Sequence, residues 1–176
     1  LTKEGQDVRL SPDRFEQGAR FCNKIWNAAR FVLMKLAGER TPPGTGRLSH
    51  LEDRWILSRL ARTRELVSRA FDTYAFHDAA TELYRFVWND FCDWYVEIVK
   101  PRLSGADDSG AGRASAAAAR GTLARVLGDV LGLLHPFTPF VTEKLWSALH
   151  EVTGERHEPT VGPWVESSSG MTPLTF

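Results

Sequence analysis

The chain has 176 residues, with 22 Lys plus Arg against 22 Asp plus Glu, so its formal net charge is zero. A balanced charge excludes a strongly basic tail, although a local basic face stays possible because net charge averages over faces. The 43% of hydrophobic residues excludes a disordered chain and suits one globular domain. No apolar run approaches the roughly 18 residues of a membrane span. Residues 1–5 lack an initiator Met and a signal region, which predicts a piece cut from a longer protein.

Helical periodicity dominates from the first element onward. The first helix is predicted to start at Ser11 and Pro12 and to end at Gly38. Its expected inward stripe is Phe15, Ala19, Cys22, Trp26, Ala29, Leu33 and Leu36. A capping box of Ser49 and Glu52 predicts the start of the second helix. The inward stripe of that helix is expected to be Ile56, Leu60, Thr63, Val67, Ala70 and Tyr74.

Three further helices are predicted in the second half of the chain. The third runs from near Asp78 to near Pro101. Its expected stripe is Ala80, Tyr84, Val87, Phe91, Trp94 and Ile98. The fourth starts at about Arg113, after a flexible loop, and turns inward Leu123, Val126, Leu127, Val130, Leu131 and Leu134. A short fifth helix begins at Thr138 and Pro139 and is closed by Gly154.

These elements predict an all-α fold, a bundle of four main helices plus a short fifth, antiparallel wherever the loops are short. The bundle is expected to occupy residues 11–154, with residues 1–10 as a connector and 155–176 as an irregular linker. Glycine weakens a helix unless a neighbour packs closely, so the three glycines of the fourth helix predict such a neighbour: Gly121, Gly128 and Gly132.

Catalytic signatures are missing from the sequence. It contains no glycine-rich phosphate loop, no nucleophile elbow and no Glu-x-x-His pair of the kind that holds metals in helical bundles. Cys22 and Cys92 have no partner at zinc-ligand spacing, and both are expected to be buried free thiols. The chain is therefore expected to hold no catalytic residue, no metal and no cofactor of its own.

A basic face is predicted on the second helix. Four arginines share the side opposite the apolar stripe: Arg54, Arg59, Arg62 and Arg69. Trp55 lies among them, and guanidinium forks beside an aromatic plane suit phosphates and unstacked bases. Glu65 and Asp72 border the same face and could neutralise it. The charge pattern alone leaves both a solvated face and a nucleic-acid surface open.

Three stretches carry a family resemblance. Residues 23–31 (NKIWNAARF) and 88–101 (WNDFCDWYVEIVKP) resemble helices of the anticodon-binding domain of valyl-tRNA synthetases. Residues 135–146 (HPFTPFVTEKLW) are similar to a segment that the valine, leucine and isoleucine enzymes share. Order and spacing fit over roughly residues 5–165. The alternatives are the isoleucine or leucine enzyme, or a helical protein-binding scaffold without RNA function.

The resemblance implies a class Ia anticodon-binding bundle that belongs to a cytoplasmic ligase. Such a parent charges tRNA(Val) with valine and uses ATP with magnesium in a catalytic domain of the same chain, which lies before this region. A coiled-coil arm follows the region in bacterial members. The implied partners are the anticodon loop and that catalytic domain, with no membrane, and the piece is expected to be monomeric.

The resemblance also assigns roles to residues. Arg54 and Trp55 are the first candidates for tRNA binding, because the family has an Arg-aromatic pair at this point. The remaining candidates are Arg30, Lys35 and Arg62. Polar residues on aromatic-rich faces are expected to bond between helices: Asn23, Asn27, Asp93 and Glu97. Four aromatic residues are expected in the core or at helix corners: Trp94, Trp146, Phe137 and Phe140.

Overall fold

A computed structural model describes residues 12–37, 50–104 and 109–154 of the chain. Its helices are α1 (Pro12–Leu36), α2 (Leu51–Asp72), α3 (Phe76–Arg85), a π-helical segment (Phe86–Tyr95), α4 (Val96–Val99), a 3-10 turn (Pro101–Leu103), α5 (Gly110–Leu134) and α6 (Pro139–Thr153). Because α3, the π segment and α4 follow one another without a break, they form one long third helix. The described part contains no strand, which confirms an all-α bundle of four main helices and a shorter fifth.

Two short connections produce antiparallel neighbours, as predicted. Residues 73–75 join α2 to the long third helix. Asp53 is bonded by Tyr95 and Arg59 bonds Asp90, so the two helices run in opposite directions. Residues 135–138 join α5 to α6. A Cβ added at Gly132 would meet the Trp146 ring at 3.1 Å, so α6 folds back tightly on α5. This close approach confirms the role expected of the α5 glycines at that position.

One end of the bundle gathers several helix termini. Lys35 Nζ, at the end of α1, lies 3.5 Å from the carbonyl oxygen of Leu103. Arg102, in the same turn, bonds both Asp53 at the start of α2 and Ser115 in α5. We call this region the Asp53 end of the bundle. Helix α5 contacts α1, α2 and α6, and its buried residues form the centre of the core.

The predicted inward faces of α2 and α5 are largely confirmed. In α2 the buried stripe residues are Ile56, Leu60, Thr63, Val67 and Ala70, and in α5 they are Leu123, Val126, Leu127, Val130, Leu131 and Leu134. The exception is Tyr74, which is 71% exposed because α2 ends at Asp72 and Tyr74 lies in the following turn with φ of 59°. Gly154 closes α6 in the left-handed conformation, as expected.

The stripe predicted for the first helix was confirmed at Ala29 and Leu36, which are buried, and was wrong at several of its other positions. Phe15 and Trp26 are 64% and 43% exposed, whereas the buried residues are Phe21, Ile25, Ala28, Ala29, Val32 and Leu36. Both sets have helical spacing, so the period alone could not choose between them. Because α1 contacts the π segment on one side and α6 on the other, the buried arc centres on Ile25, and Trp26 falls about 100° away.

The stripe predicted for the third helix was confirmed at Val87 and Phe91, which are buried, and was wrong at three positions. Tyr84, Trp94 and Ile98 were expected inside and are 42%, 62% and 43% exposed. In a π-helix each N–H bonds the carbonyl five residues earlier, whereas in an α-helix it bonds the carbonyl four residues earlier. The buried sets follow that step: Phe86, Phe91 and Val96, then Val87 and Cys92. The wider turn rotates Trp94 out of the core, where a uniform α-helix had been assumed.

Helix starts also differ from the predictions in detail. Helix α2 begins after His50, and Glu52 is bonded by Arg102, while Ser49 of the expected capping box lies outside the described residues. The third helix starts at Phe76, not Asp78, and α5 starts at Gly110, where the Ser109 hydroxyl accepts a bond from the Gly112 amide at 3.0 Å. The predicted cap at Ser11 and the segments 1–10 and 155–176 lie outside the described residues.

Candidate nucleic-acid interface

A buried ionic anchor fixes the start of α2. The Asp53 carboxylate is fully buried and accepts two bonds from the Arg102 guanidinium, at 2.8 and 2.9 Å. The Tyr95 hydroxyl donates to the same carboxylate at 2.7 Å. Arg102 also donates to Glu52 at 2.8 Å and to the Ser115 hydroxyl and carbonyl at 3.0 and 2.9 Å. The anchor therefore ties α2, the long third helix, the 3-10 turn and α5 together.

The charges of the anchor are satisfied internally. Burial opposes the charge on Arg102, but its bonds to Asp53 and the attraction of Glu52 outweigh that, so the pKa of Arg102 is raised. Burial, together with the Asp53 carboxylate, raises the pKa of Tyr95 and keeps its hydroxyl a neutral donor. Because its donors and acceptors are used, the anchor is a support for neighbouring side chains and not itself a ligand site.

Arg54 is the residue directly after Asp53, and it lies on the solvent side of α2. Its side chain is exposed and forms no ion pair with any residue in the described ranges. Arg62 is exposed and unpaired in the same sense. The two lie eight positions apart, about 12 Å along the helix. Two free guanidinium groups on a rigid helix can each donate paired hydrogen bonds to a phosphate or to a base edge.

The other two arginines of the predicted basic face are occupied. Arg59 Nε donates to Asp90 Oδ2 at 2.8 Å, across to the π segment. Arg69 is paired with Glu65, four residues earlier on the exposed surface. The basic face thus reduces to Arg54 and Arg62, and the neutralising effect expected of Glu65 falls on Arg69.

The structure gives three different surroundings to the remaining candidates. Trp55 is half-buried and packs against the core, so one part of its indole stays accessible. Arg30 is exposed on α1 and has no ion pair within the described part of the chain. Lys35 is half-buried at the Asp53 end, with its ammonium 5.9 Å from the centre of the Phe31 ring. Lys35 and Arg54 therefore share one end of the bundle.

The polar residues expected to bond between helices divide into two groups. Asp93 does so, because Lys24 of α1 donates to it at 2.5 Å. That bond raises the pKa of Lys24 and keeps it charged. The expectation was wrong for Asn23 and Asn27, which are exposed and make no side-chain hydrogen bond to a described residue. It was also wrong for Glu97, which pairs with Lys100 in its own segment.

The aromatic residues expected in the core or at corners are placed as follows. Phe137 is half-buried in the turn between α5 and α6. Trp146 is half-buried and stacks on the His150 ring, with 5.7 Å between the ring centroids. Phe140, the second residue of α6, is a corner residue that is 92% exposed. Trp94 contradicts the expectation, since it is 62% exposed on the π segment.

The described ranges hold two free cysteines and no cluster of metal-ligating side chains. No group of three or more His, Cys, Asp or Glu side chains there could hold a metal ion. Cys92 is a buried free thiol, and burial raises its pKa to about 12. Cys22 is also a free thiol but is half-buried, not fully buried as expected. None of the described helices has the length and apolar character needed to cross a membrane.

The anchor was not predicted from the sequence, where no pattern connects Asp53 with Tyr95 or Arg102. The available signal was an acidic residue in a helix stripe position, with an arginine directly after Pro101. A partner separated by 49 residues cannot be read from periodicity, since that pattern reports only the face of one helix.

Comparison with known proteins identifies a family profile and several relatives that match this chain. A family profile described as "Anticodon-binding domain of tRNA ligase" matches residues 53–170. The valine–tRNA ligase of Synechocystis sp. is 43% identical over an alignment of 162 positions that covers 86% of this chain and 18% of that protein. The valine–tRNA ligase of Prochlorococcus marinus is 48% identical over an alignment of 162 positions that covers 85% of this chain and 17% of that protein.

The valine–tRNA ligase of Thermotoga maritima is 43% identical over an alignment of 168 positions that covers 94% of this chain and 18% of that protein. The chain thus spans less than a fifth of the length of the curated relatives it matches. The family profile covers well over half of the chain, and the bundle has the helical fold that the resemblance implied. The chain belongs to the family of anticodon-binding domains of tRNA ligases.

Proposed function

We propose that this chain is the anticodon-binding part of a valine–tRNA ligase and that it grips the anticodon loop of tRNA(Val). Family membership supports RNA binding over a protein-binding scaffold. The names of the similar ligases favour valine over the isoleucine and leucine alternatives. The observation that carries the site is Arg54, exposed and without an ion pair to any described residue, held directly beside the buried Asp53 anchor.

This arrangement suits an unpaired RNA loop. Bases in such a loop can splay out and stack on aromatic or guanidinium planes, while basic side chains hold the phosphates. Arg54, Arg62 and the accessible part of Trp55 supply these groups from one helix. Because the Asp53 anchor already fixes that helix, little ordering is required when RNA binds. Arg30 and Lys35 on α1 extend the surface toward the backbone of the loop.

The chemistry of the parent ligase is assigned to its other parts. Activation of valine with ATP and magnesium needs a nucleotide site, and the sequence contains no glycine-rich phosphate loop. The proposal places that step in a catalytic domain of the same chain, in a cytoplasmic enzyme. The role of the present residues is to select the tRNA, and the isolated piece is expected to be monomeric.

Binding of an anticodon stem-loop to the 176-residue chain tests the proposal. Arg54→Ala is expected to weaken binding about tenfold, because a good arginine contact contributes about 1–3 kcal/mol. If Arg54 contacts a phosphate, the same change should also reduce the slope of log K against log salt concentration by about one. Arg69→Ala is the matched control, since Arg69 is an exposed arginine of the same helix that is already paired with Glu65.

Far-UV circular dichroism of each variant checks that the bundle is intact. Equal affinity of the wild type and Arg54→Ala would remove Arg54 from the interface. No binding by the wild-type chain at low salt would contradict the proposed function as a whole. Equal losses for Arg54→Ala and Arg69→Ala would indicate a general charge effect and not a defined site.

A further inference from the structure

Trp94 is the most exposed tryptophan in the part of the chain that the structure describes. Its exposed fraction is 62%, against 43% for Trp26, and the remaining described tryptophans are half-buried. The π-helical segment is responsible, because its wider turn rotates Trp94 away from the buried residues Phe91 and Tyr95. π-helical geometry is rare and occurs often at functional sites, so an outward tryptophan within it needs an explanation.

Two contacts fix the register between α2 and the π segment. The Tyr95 hydroxyl donates to Asp53, and Arg59 donates to Asp90, so the two helices run antiparallel between these points. Trp94 is next to Tyr95 and lies one turn beyond Asp90. This register places Trp94 across from the first turn of α2, at the level of Trp55. The surface between α2 and the π segment at this level, next to the half-buried Trp55 and the exposed Trp94, is called the groove below.

The charge around this groove favours an anionic ligand. Each acidic residue near Trp94 is neutralised by a cation: Asp90 by Arg59, Asp93 by Lys24 and Glu97 by Lys100. On the α2 side, Arg54 and Arg62 are exposed and unpaired among the described residues. A surface with open aromatic planes and guanidinium groups, on which the described carboxylates near Trp94 are all paired, is suited to an unpaired nucleotide.

We infer that Trp94 is a second stacking platform, which holds an unpaired base of the anticodon loop opposite Trp55. The inference rests on the proposed function, and it adds a binding residue that the sequence placed in the core. Trp55 supplies the inner wall of the groove, Trp94 supplies the outer wall, and Arg54 holds the adjoining phosphate. The ligand class is single-stranded RNA with at least one splayed base.

A fluorescent base analogue tests this role directly. 2-Aminopurine is quenched when it stacks, and it can be placed at each anticodon position of a valine stem-loop in turn, with a stem position as the control. Binding of the wild-type 176-residue chain should change the fluorescence at one anticodon position by stacking. Trp94→Ala should abolish that change and weaken binding by about 5- to 150-fold, the range that base–aromatic stacking supplies.

Two variants separate stacking from structure. Trp94→Phe keeps an aromatic plane and should retain most of the fluorescence change. Trp26→Ala removes another exposed tryptophan, about 200° around α1 from Lys24 and so turned away from the π segment, and should change nothing. Circular dichroism verifies that every variant remains helical.

The outcomes distinguish this inference from the proposed function. Binding that depends on Arg54 but is unchanged in Trp94→Ala would overturn the role of Trp94 and leave the proposed function standing. Equal loss of affinity in Trp94→Phe and Trp94→Ala, without a stacking signal in the wild type, would overturn it as well. Failure of the wild-type chain to bind any valine stem-loop would overturn both.

Discussion

Removal of the Asp53 carboxylate should destabilise the whole bundle. That side chain is fully buried and accepts three hydrogen bonds, two from Arg102 and one from Tyr95. In Asp53→Ala the buried guanidinium would keep Glu52 and Ser115 as partners, while the Tyr95 hydroxyl would lose the carboxylate. The four chain segments that meet at this point would lose their common anchor.

The expected size follows from the burial of the pair. Removal of one partner of a buried ion pair costs about 3–5 kcal/mol, because an uncompensated charge is left behind. Since Glu52 still neutralises part of the Arg102 charge, we expect about 3 kcal/mol for Asp53→Ala. A domain of this size is stable by roughly 5–15 kcal/mol, so the change is a large share of the total.

Urea denaturation followed by circular dichroism measures this difference. Glu16→Ala is the control, because the Glu16–Arg20 pair is exposed and should contribute less than about 1 kcal/mol. A triple variant, Asp53→Leu with Arg102→Met and Tyr95→Phe, removes every charge of the pair and should recover part of the loss. A loss in Asp53→Ala no larger than in Glu16→Ala would refute the structural role given to the anchor.

Two further predictions concern packing and thiol reactivity. Gly18→Ala, with nothing within 4 Å of the new Cβ, should stabilise the bundle by about 0.5–1 kcal/mol. Gly132→Ala has the same gain, but its Cβ would lie 3.1 Å from the Trp146 ring, and an overpacking cost of about 1–3 kcal/mol should leave a net loss of up to about 2 kcal/mol. Thermal denaturation checks both, and the opposite order would contradict the close packing of α5 on α6. Burial raises the pKa of Cys92 to about 12, so only about 10⁻⁴ of it is thiolate at pH 8, and iodoacetamide should label Cys22 first. The folded pKa lies above the unfolded one, so burial of the neutral thiol contributes stability below about pH 8.5, which is lost as the pH rises toward 12. Equal labelling of both thiols in the native protein, measured by mass spectrometry, would contradict this burial.

The regular helices could be predicted from the sequence because their burial follows a single period. Helix α5 shows this most clearly, since its neighbours cover it on several sides and its apolar residues are buried as predicted. Helix α1 carries two overlapping apolar stripes, and only the positions of α6 and the π segment determine that Ile25 faces inward and Trp26 outward. Periodicity gives the helix but not the neighbours that select its face.

The candidate site was predictable in part, for a similar reason. The family resemblance named Arg54, and the structure leaves that side chain exposed and unpaired within the described ranges. Arg59 and Arg69 had been grouped with it by helix angle, but partners on the π segment and on α2 itself occupy them. Trp94 was assigned to the core because the sequence does not announce a change from α-helical to π-helical bonding.

Discrimination between anticodons is the most direct test of the account. Stem-loops with a valine anticodon and with an isoleucine anticodon, otherwise identical, can be titrated with the chain from about 50 to about 200 mM salt. The valine loop should bind more tightly at every salt concentration, and the affinities of both loops should fall as the salt concentration rises. Equal affinity for the two loops would contradict selection of tRNA(Val), and salt-independent binding would contradict a phosphate-gripping surface.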